Sequence, residues 1–232
     1  MTAAWNSFYR QLVTYGGYKS VLNGLLATVE IAVLGLAIGI VIGTLIAVVK
    51  VMPKRHVLPR IFEKVCDVYV AFFRGTPMVV QLLIGYFVLM PALGIMVDGI
   101  TVAIIVFGLN SGAYVSEIMR SGIQSVDSGQ LEAGRAVGLP YSIAMLKIVI
   151  PQSIKNILPT LGNEFIVLVK ETSIVSFIAV SDLTKAFRAI GDANYEYIIP
   201  YLTLAVVYLA IVMLITLGIR MMERRFRRSE RA

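Results

Sequence analysis

Hydrophobic residues in this chain form long, nearly uncharged runs, separated by short segments rich in charged residues, glycine and proline. Five runs predict helices, at residues 21–49, 61–90, 99–119, 157–180 and 198–219. The first run, for example, is long enough by itself to cross a hydrocarbon layer of about 30 Å at about 1.5 Å per residue. We therefore predict an all-α integral membrane protein with five transmembrane helices.

Glycine and proline predict how two of these runs bend and pack. In the first run, Gly35, Gly39 and Gly43 recur every four residues, so a neighbouring helix can approach their common face closely. The second run is broken at residues 74–77, Arg-Gly-Thr-Pro, where proline removes a hydrogen-bond donor and glycine permits unusual dihedral angles. This pattern predicts a short helix, a bend and then the rest of the span.

The distribution of basic residues predicts the orientation in the membrane. Lysine and arginine cluster between residues 50 and 64, in the loop 120–147 and after residue 220, but they are sparse in the other loops. The positive-inside rule then places the amino terminus outside and the carboxyl terminus inside. The prediction divides the chain into an outer interfacial helix (1–20), a transmembrane domain (21–220) and a basic cytoplasmic tail (221–232) that contacts lipid.

Composition supports a membrane location and argues against several kinds of chemistry. The chain is 58% hydrophobic and only 15% charged, which a water-soluble core cannot accommodate. Its net charge of +7 is spread over the ends of the apolar runs, unlike the basic face of a nucleic-acid-binding protein. The sequence has no phosphate-binding P-loop, and His56 and Cys66 are its only histidine and cysteine. We predict a non-catalytic chain with no metal site and no cofactor of its own.

The loop after the third run predicts a short helix with its own caps. The Asp127 side chain can accept hydrogen bonds from the first free backbone amides, and Gln130 can reach back to complete a capping box. Gly138, followed by Pro140, supplies a left-handed stop. The predicted helix lies within residues 127–139 and is about ten residues long.

The surface of this short helix is suited to contact with another protein. Ala133, Gly134 and Ala136 have almost no side chain, so a partner could approach the backbone, while Glu132 and Arg135 could fix its orientation. An ordinary cytoplasmic connector is the alternative.

These residues resemble a motif of the integral-membrane subunits of ABC importers. In that family a cytoplasmic loop carries Glu-Ala-Ala, three residues and Gly, followed by an apolar residue and Pro. The matching residues here are Glu132, Ala133, Gly134 and Gly138, then 150–151, and Gly134 departs from the second Ala. Segments 73–77, 110–120 and 170–173 resemble the polar amino-acid subfamily, whose members carry histidine, glutamine or arginine.

The resemblance implies a type I ABC importer permease in the bacterial inner membrane, importing polar amino acids, basic ones included. It implies a dimer with a second permease subunit, a cytoplasmic ATPase that binds ATP and Mg²⁺, and an extracytoplasmic solute-binding protein. The residues expected to couple the chain to the ATPase are Asp127, Gln130, Glu132, Ala133, Gly134, Arg135 and Gly138.

Polar residues inside the apolar runs are candidates for the substrate path, because such residues are costly in a membrane unless they meet protein, water or cargo. The candidates are Thr76, Asn110, Ser111, Asn163 and Glu164. Glu164 either pairs with Arg74 or Lys170 or faces the ammonium group of the cargo. Asn110 and Ser111 either join helices by hydrogen bonds or contact the ligand.

Several alternatives stay open. In a passive channel or ion-coupled secondary transporter, Glu30, Glu164 and Glu171 would be ion or proton sites. A membrane scaffold would use its polar residues only to join helices. Glu117 and Arg120 form an i, i+3 pair that either stabilises the surface or transmits movement of the loop. The identity of the amino acid and the choice between homodimer and heterodimer are not determined.

Overall fold

The computed structural model describes residues 2–51 and 57–228, and all the regular elements in these residues are helices. They are α1 (Thr2–Tyr9), α2 (Gly17–Val51), α3 (Val57–Gly75), α4 (Met78–Ile84), α5 (Met90–Ala92), α6 (Gly99–Gln124), α7 (Ser128–Ala136), α8 (Tyr141–Ala144), α9 (Ile150–Glu171), α10 (Leu183–Asp192) and α11 (Ile198–Arg228). Wider π turns at Arg10–Thr14, Gly85–Leu89 and Met145–Val149 extend α1, join α4 to α5 and join α8 to α9. A 3₁₀ helix at Thr172–Ile178 follows α9.

Three helices of the described chain, α2, α6 and α11, are long and apolar enough to span a membrane. Helix α3 and the segment α4–α5 meet the same test as a pair, and they meet at a bend of 106°. This bend confirms the predicted break at residues 74–77. Helix α9 is not among the apolar spans, because residues such as Asn156, Asn163 and Glu164 dilute its hydrophobic run.

The glycine face of α2 packs directly against α6, as its four-residue spacing predicts. A Cβ atom on Gly39 would lie 2.6 Å from Ser111 Oγ, and one on Gly43 would lie 2.6 Å from Val115 Cγ1. A Cβ atom on Gly35 would also meet α6. Larger residues at these positions would therefore separate the two helices that form the centre of the fold.

The main hydrophobic core lies where α2, α4, α6 and α9 meet. Ile31, Leu82, Phe107 and Leu168 are buried there and belong to one cluster. In contrast, α11 contacts this core through partly buried residues such as Ile211 and Ile215, and side chains such as Leu214 remain exposed along it. The core therefore fixes α6 and α9 side by side, and these helices carry most of the candidate path residues.

Some predicted boundaries are corrected by the structure. The first helical segment ends at Thr14, Gly16 adopts a φ of 77°, and α2 already begins at Gly17, so the first boundary lies before residue 20. The fourth run was predicted to begin at residue 157, but residues 150–156 belong to the same helix, which begins at Ile150. Helix α11 extends to Arg228, into the predicted tail. Residues 52–56 of the basic loop and 229–232 of the tail lie outside the described residues.

Helix α10 was not predicted from the sequence. Its N-cap is Asp182, whose carboxylate accepts hydrogen bonds from the backbone N–H groups of Thr184 at 2.9 Å and Lys185 at 3.0 Å. Asp182 is fully buried, and this burial raises the pKa of its carboxyl group while the two N–H donors oppose the change. The cap thus fixes the connection between α9 and α11.

Candidate functional site

The bend between α3 and α4 is held by two buried side-chain amides. Gln81 Nε2 donates to the carbonyl oxygen of Phe73, in the last turn of α3, at 2.9 Å and to that of Thr76, between α3 and α4, at 3.0 Å. Asn110 Nδ2, on α6, donates to Gln81 Oε1 at 2.9 Å and to Phe73 O at 3.2 Å. We call Gln81 and Asn110 the amide clamp.

The amide clamp answers one question that the sequence leaves open. Asn110 does join helices by hydrogen bonds, and its other surface borders a cavity. Gln81 was missed, although a glutamine four residues after Pro77 in an apolar run is a signal that could have identified it. Both amides are less than a tenth exposed, so their hydrogen bonds are protected from solvent.

A cavity of about 580 Å³ lies beside this bend, between α4, α6 and α9. We call it the substrate cavity, after the candidate substrate-path residues of the sequence analysis that line it. Its polar lining consists of Thr76, Asn110, Tyr114, Glu164 and Glu171. The described lining thus contains two acids and no base, and its remaining wall is apolar.

Glu164 is the most buried acid of this lining, with 9% of the residue exposed. Its carboxylate accepts a hydrogen bond of 3.2 Å from Ser111 Oγ. Neither of its two expected partners pairs with it in the described structure. Arg74 lies over the ring of Tyr114, and Lys170 lines a separate cavity beside Tyr201. The carboxylate therefore faces the substrate cavity without a cationic partner among the described residues.

The structure brings together most of the candidate path residues. Thr76, Asn110 and Glu164 line the substrate cavity, and Ser111 lies buried behind Glu164. Asn163 is exposed and is not part of this lining, because it lies on another face of α9. Helix α9 ends at Glu171, and this acid also lines the cavity.

An ionic cluster joins the end of α2 to the middle of α3 and to the second half of α6. Lys50 Nζ lies 3.0 Å from Asp67 Oδ1 and 2.9 Å from Glu117 Oε1, and Arg120 Nη2 lies 2.7 Å from Glu117 Oε2. The i, i+3 pair of Glu117 and Arg120 is therefore present. Its extension to Lys50 and Asp67 could not be read from the sequence, because these residues lie far apart along the chain. The cluster ties the second half of α6 to two other helices.

The start of α7 has the predicted cap in part. Asp127 Oδ1 accepts a hydrogen bond of 2.7 Å from the backbone N–H of Gly129. The reciprocal bond expected from the Gln130 side chain is not formed in the described structure, where only the Gln130 backbone N–H donates, to Asp127 O at 3.0 Å. The Gln130 side chain is exposed and so is free to contact a partner.

The end of α7 has the predicted left-handed stop. Gly138 has a φ of 88°. Its N–H donates to Arg135 O at 3.0 Å, and the N–H of Leu139 donates to Gly134 O at 3.1 Å. These two bonds form a Schellman motif, in which glycine avoids the strain that a side chain meets at positive φ. The helix has nine residues, close to the predicted length.

One face of α7 is open and the other packs on the chain itself. The exposed residues include Glu132, Ala133, Arg135 and Val137, the last with 78% of its surface accessible. Gly134 is buried, and a Cβ atom there would lie 2.8 Å from Ile148 Cδ1. The expectation that Gly134 lies on the exposed contact surface is therefore wrong, because this residue faces the turn that leads into α9.

Comparison with known proteins places this geometry in a family. The binding-protein-dependent transport system inner membrane components match residues 39–228. The chain is 38% identical over 210 residues to the arginine transport system permease protein ArtQ of Bacillus subtilis, covering 90% of this chain and 94% of that protein. It is 40% identical over 205 residues to the putative glutamine transport system permease protein GlnP of Rickettsia bellii, covering 88% and 92%.

Comparison with solved structures also matches this chain to ABC transporters. The crystal structure of an amino acid ABC transporter with histidines contains a chain that superimposes with a TM-score of 0.84 at 37% identity, over 94% of this chain and 98% of that one. A chain of the inward-facing methionine transporter MetNI superimposes with a TM-score of 0.73 at 18% identity, over 89% and 95%, which shows the fold alone.

The fold is that of the ABC type I importer permeases. The relatives are named as permease proteins, which are non-catalytic subunits, so the chain is a transport subunit and not an enzyme. Because the family match covers most of the sequence, this chain belongs to the binding-protein-dependent transport system inner membrane components, the permease subunits of ABC importers.

Proposed function

We propose that this permease forms the path of an ATP-driven importer of polar amino acids and that the substrate cavity holds the cargo. The observation that carries the proposal is Glu164, a buried acid that faces the cavity without a cationic partner among the described residues. A buried carboxylate is costly unless another group compensates it. The ammonium group of an amino acid would supply that compensation, and the second positive charge of a basic amino acid such as arginine would add to it.

The size and lining of the cavity fit this class of cargo. Its volume of about 580 Å³ lies in the range of roughly 300–1,000 Å³ that is usual for small-molecule sites. Glu164 and Glu171 favour a cationic group, while Thr76 and Asn110 offer a hydroxyl and an amide. The names of the relatives, for arginine and glutamine transport, support polar amino acids with basic ones included.

Coupling to a cytoplasmic ATPase is assigned to the exposed face of α7. Glu132, Ala133 and Arg135 project from this face, and Asp127 and Gly138 fix its two ends. Helix α7 follows α6 directly, and α6 lines the substrate cavity. A displacement of α7 is therefore transmitted to the cavity through a short connection. ATP and Mg²⁺ belong to the partner ATPase in this account.

The remaining parts of the proposal concern membrane arrangement and partners. Five spans, with α9 as the fourth, leave the amino terminus outside and the carboxyl terminus inside the bacterial inner membrane. Residues before α2 contact the outer interface, and the basic residues after 220 contact lipid. A second permease subunit completes the path, and an extracytoplasmic solute-binding protein delivers the cargo.

Reconstituted transport tests this function. Proteoliposomes that contain the permease, its copurified ATPase and its solute-binding protein should accumulate radiolabelled arginine or glutamine only when ATP is supplied on the cytoplasmic side. Omission of the ATPase should abolish accumulation. Uptake that persists without ATP and without the ATPase would contradict the proposal and support an ion-coupled transporter or a channel.

A further inference from the structure

A second polar cavity lies along the same two helices. It has a volume of about 390 Å³, and we call it the inner cavity. Residues late in α6, such as Ser121 and Ser125, meet residues early in α9, such as Asn156 and Thr160. Asn156 Nδ2 donates to Ser125 Oγ at 2.8 Å, which ties the two helices together at this end. The inner cavity therefore lies towards α7, and the substrate cavity lies farther from it.

The two cavities follow one polar track. On α6 the lining residues Asn110, Tyr114, Ser121 and Ser125 are spaced so that they share one side of the helix. By helical rise, Asn110 and Ser125 are about 22 Å apart. On α9, Glu164 lies in the substrate cavity, and Thr160 and Asn156 follow at four-residue steps in the inner cavity. Together the cavities extend over much of the thickness of a bilayer core.

Tyr114 lines both cavities and so stands at their junction. Arg74, from the end of α3, reaches across to α6 and places its guanidinium carbon 5.4 Å from the centre of the Tyr114 ring. A cation at this distance over an aromatic face is attracted by the ring. Arg74 forms no ion pair within the described residues, so this contact is what holds the guanidinium at the junction.

We propose that Tyr114, held in place by Arg74, is the barrier between the substrate cavity and the inner cavity, and that the inner cavity is a second station for the transported solute. The hydroxyl and amide groups of Ser121, Ser125 and Asn156 suit a small zwitterionic solute in transit. An ammonium group that leaves Glu164 meets the aromatic face that Arg74 occupies and can replace the guanidinium there. The identity of the solute rests on the proposed function, but the barrier does not.

The test is passive leakage through the complete transporter without ATP. Proteoliposomes are loaded with radiolabelled glycine, and efflux is followed for the wild type, Tyr114→Ala, Tyr114→Phe and Leu214→Ala. Tyr114→Ala should leak several-fold faster than wild type, because the ring that separates the cavities is gone. Tyr114→Phe keeps the ring and should match wild type. Leu214→Ala shortens an exposed side chain of α11 that lines neither cavity and should also match wild type.

Substitutions of Arg74 provide a second test that does not depend on the folding of Tyr114→Ala. Arg74→Gln should raise the leak roughly two- to fivefold, as expected for loss of a cation over an aromatic ring, whereas Arg74→Lys should stay near wild type. Assembled Tyr114→Ala that remains as tight as Tyr114→Phe would overturn the proposal, as would an Arg74→Gln variant with wild-type leakage. Wild type that accumulates no amino acid with ATP would refute the proposed function, while the leakage still decides on the barrier.

Discussion

The amide clamp permits a quantitative test of how the bend is held. Gln81→Leu keeps a side chain of similar size but removes the amide that satisfies Thr76 O and the acceptor for Asn110 Nδ2. Phe73 O retains its bond from Asn110. The carbonyl group of half-buried Thr76 and the side-chain amide of buried Asn110 thus each lose one partner, at about 1–3 kcal/mol each. We expect the free energy of unfolding to fall by about 2–4 kcal/mol, the lower half of that sum, because water from the adjacent cavity can hydrate Thr76.

For a chain of this size, such a loss corresponds to a melting temperature lower by about 5–15 °C. The assay is thermal unfolding of the purified transporter, followed by the fraction that stays monodisperse after heating. Gln130→Leu is the matched control, because its side chain is exposed and forms no hydrogen bond in the described structure, so it should shift stability by less than about 0.5 kcal/mol. A Gln81→Leu variant that melts together with Gln130→Leu would refute the assignment of the clamp.

Three other predictions concern α7 and the orientation of the chain. Ala133→Trp should abolish copurification of the ATPase without loss of membrane insertion, whereas Ala133→Ser should retain it; normal copurification of the tryptophan variant would contradict the docking face. Gly138→Val should cost about 1–2 kcal/mol at a φ of 88° and impair coupled ATP hydrolysis, whereas Gly138→Asn should not. Equal rates of coupled ATP hydrolysis in Gly138→Val and Gly138→Asn would refute the role of Gly138 as the helix cap. In a Cys66→Ser background, Met96→Cys should react with an impermeant maleimide from outside and Ser128→Cys only after permeabilisation, and the reverse result would invert the topology.

Local chemistry made part of this structure predictable from the sequence. The spacing of Gly35, Gly39 and Gly43 is a property of one helix, so it predicted close packing before the partner was known. Pro77 and Gly75 likewise determine a break within a few residues of themselves. Gly138 predicted a positive φ because the stop depends only on adjacent backbone groups.

The features that escaped prediction depend on contacts between distant segments. The amide clamp joins Gln81 to Asn110 across two helices, and its meaning appears only when the bend lies beside α6. Gly134 faces inward because the following turn folds back under α7, which no periodicity within α7 reveals. Glu164 was identified as a candidate from its place inside an apolar run. That it forms no pair with Arg74 could not be predicted, because Arg74 lies over the ring of Tyr114, a contact between two helices.

The central claim is that the carboxylate of Glu164 meets the cationic part of the cargo, and Glu164→Gln tests it most directly. The amide oxygen of the glutamine can still accept from Ser111, so the melting temperature should not fall. ATP-driven uptake of arginine should weaken by about 5- to 30-fold, the difference between a charge-assisted and a neutral hydrogen bond, and uptake of glutamine should weaken less. Glu30→Gln, an exposed acid outside the cavity lining, is the matched control and should leave both uptakes unchanged.

The measurement is initial uptake of arginine and of glutamine by the same Glu164→Gln proteoliposomes, with the melting temperature taken from the same preparation. A selective loss of arginine uptake at unchanged stability is the predicted result. An equal loss for both amino acids together with a large drop in melting temperature would contradict the account, because it would assign Glu164 to holding the fold and not to the cargo.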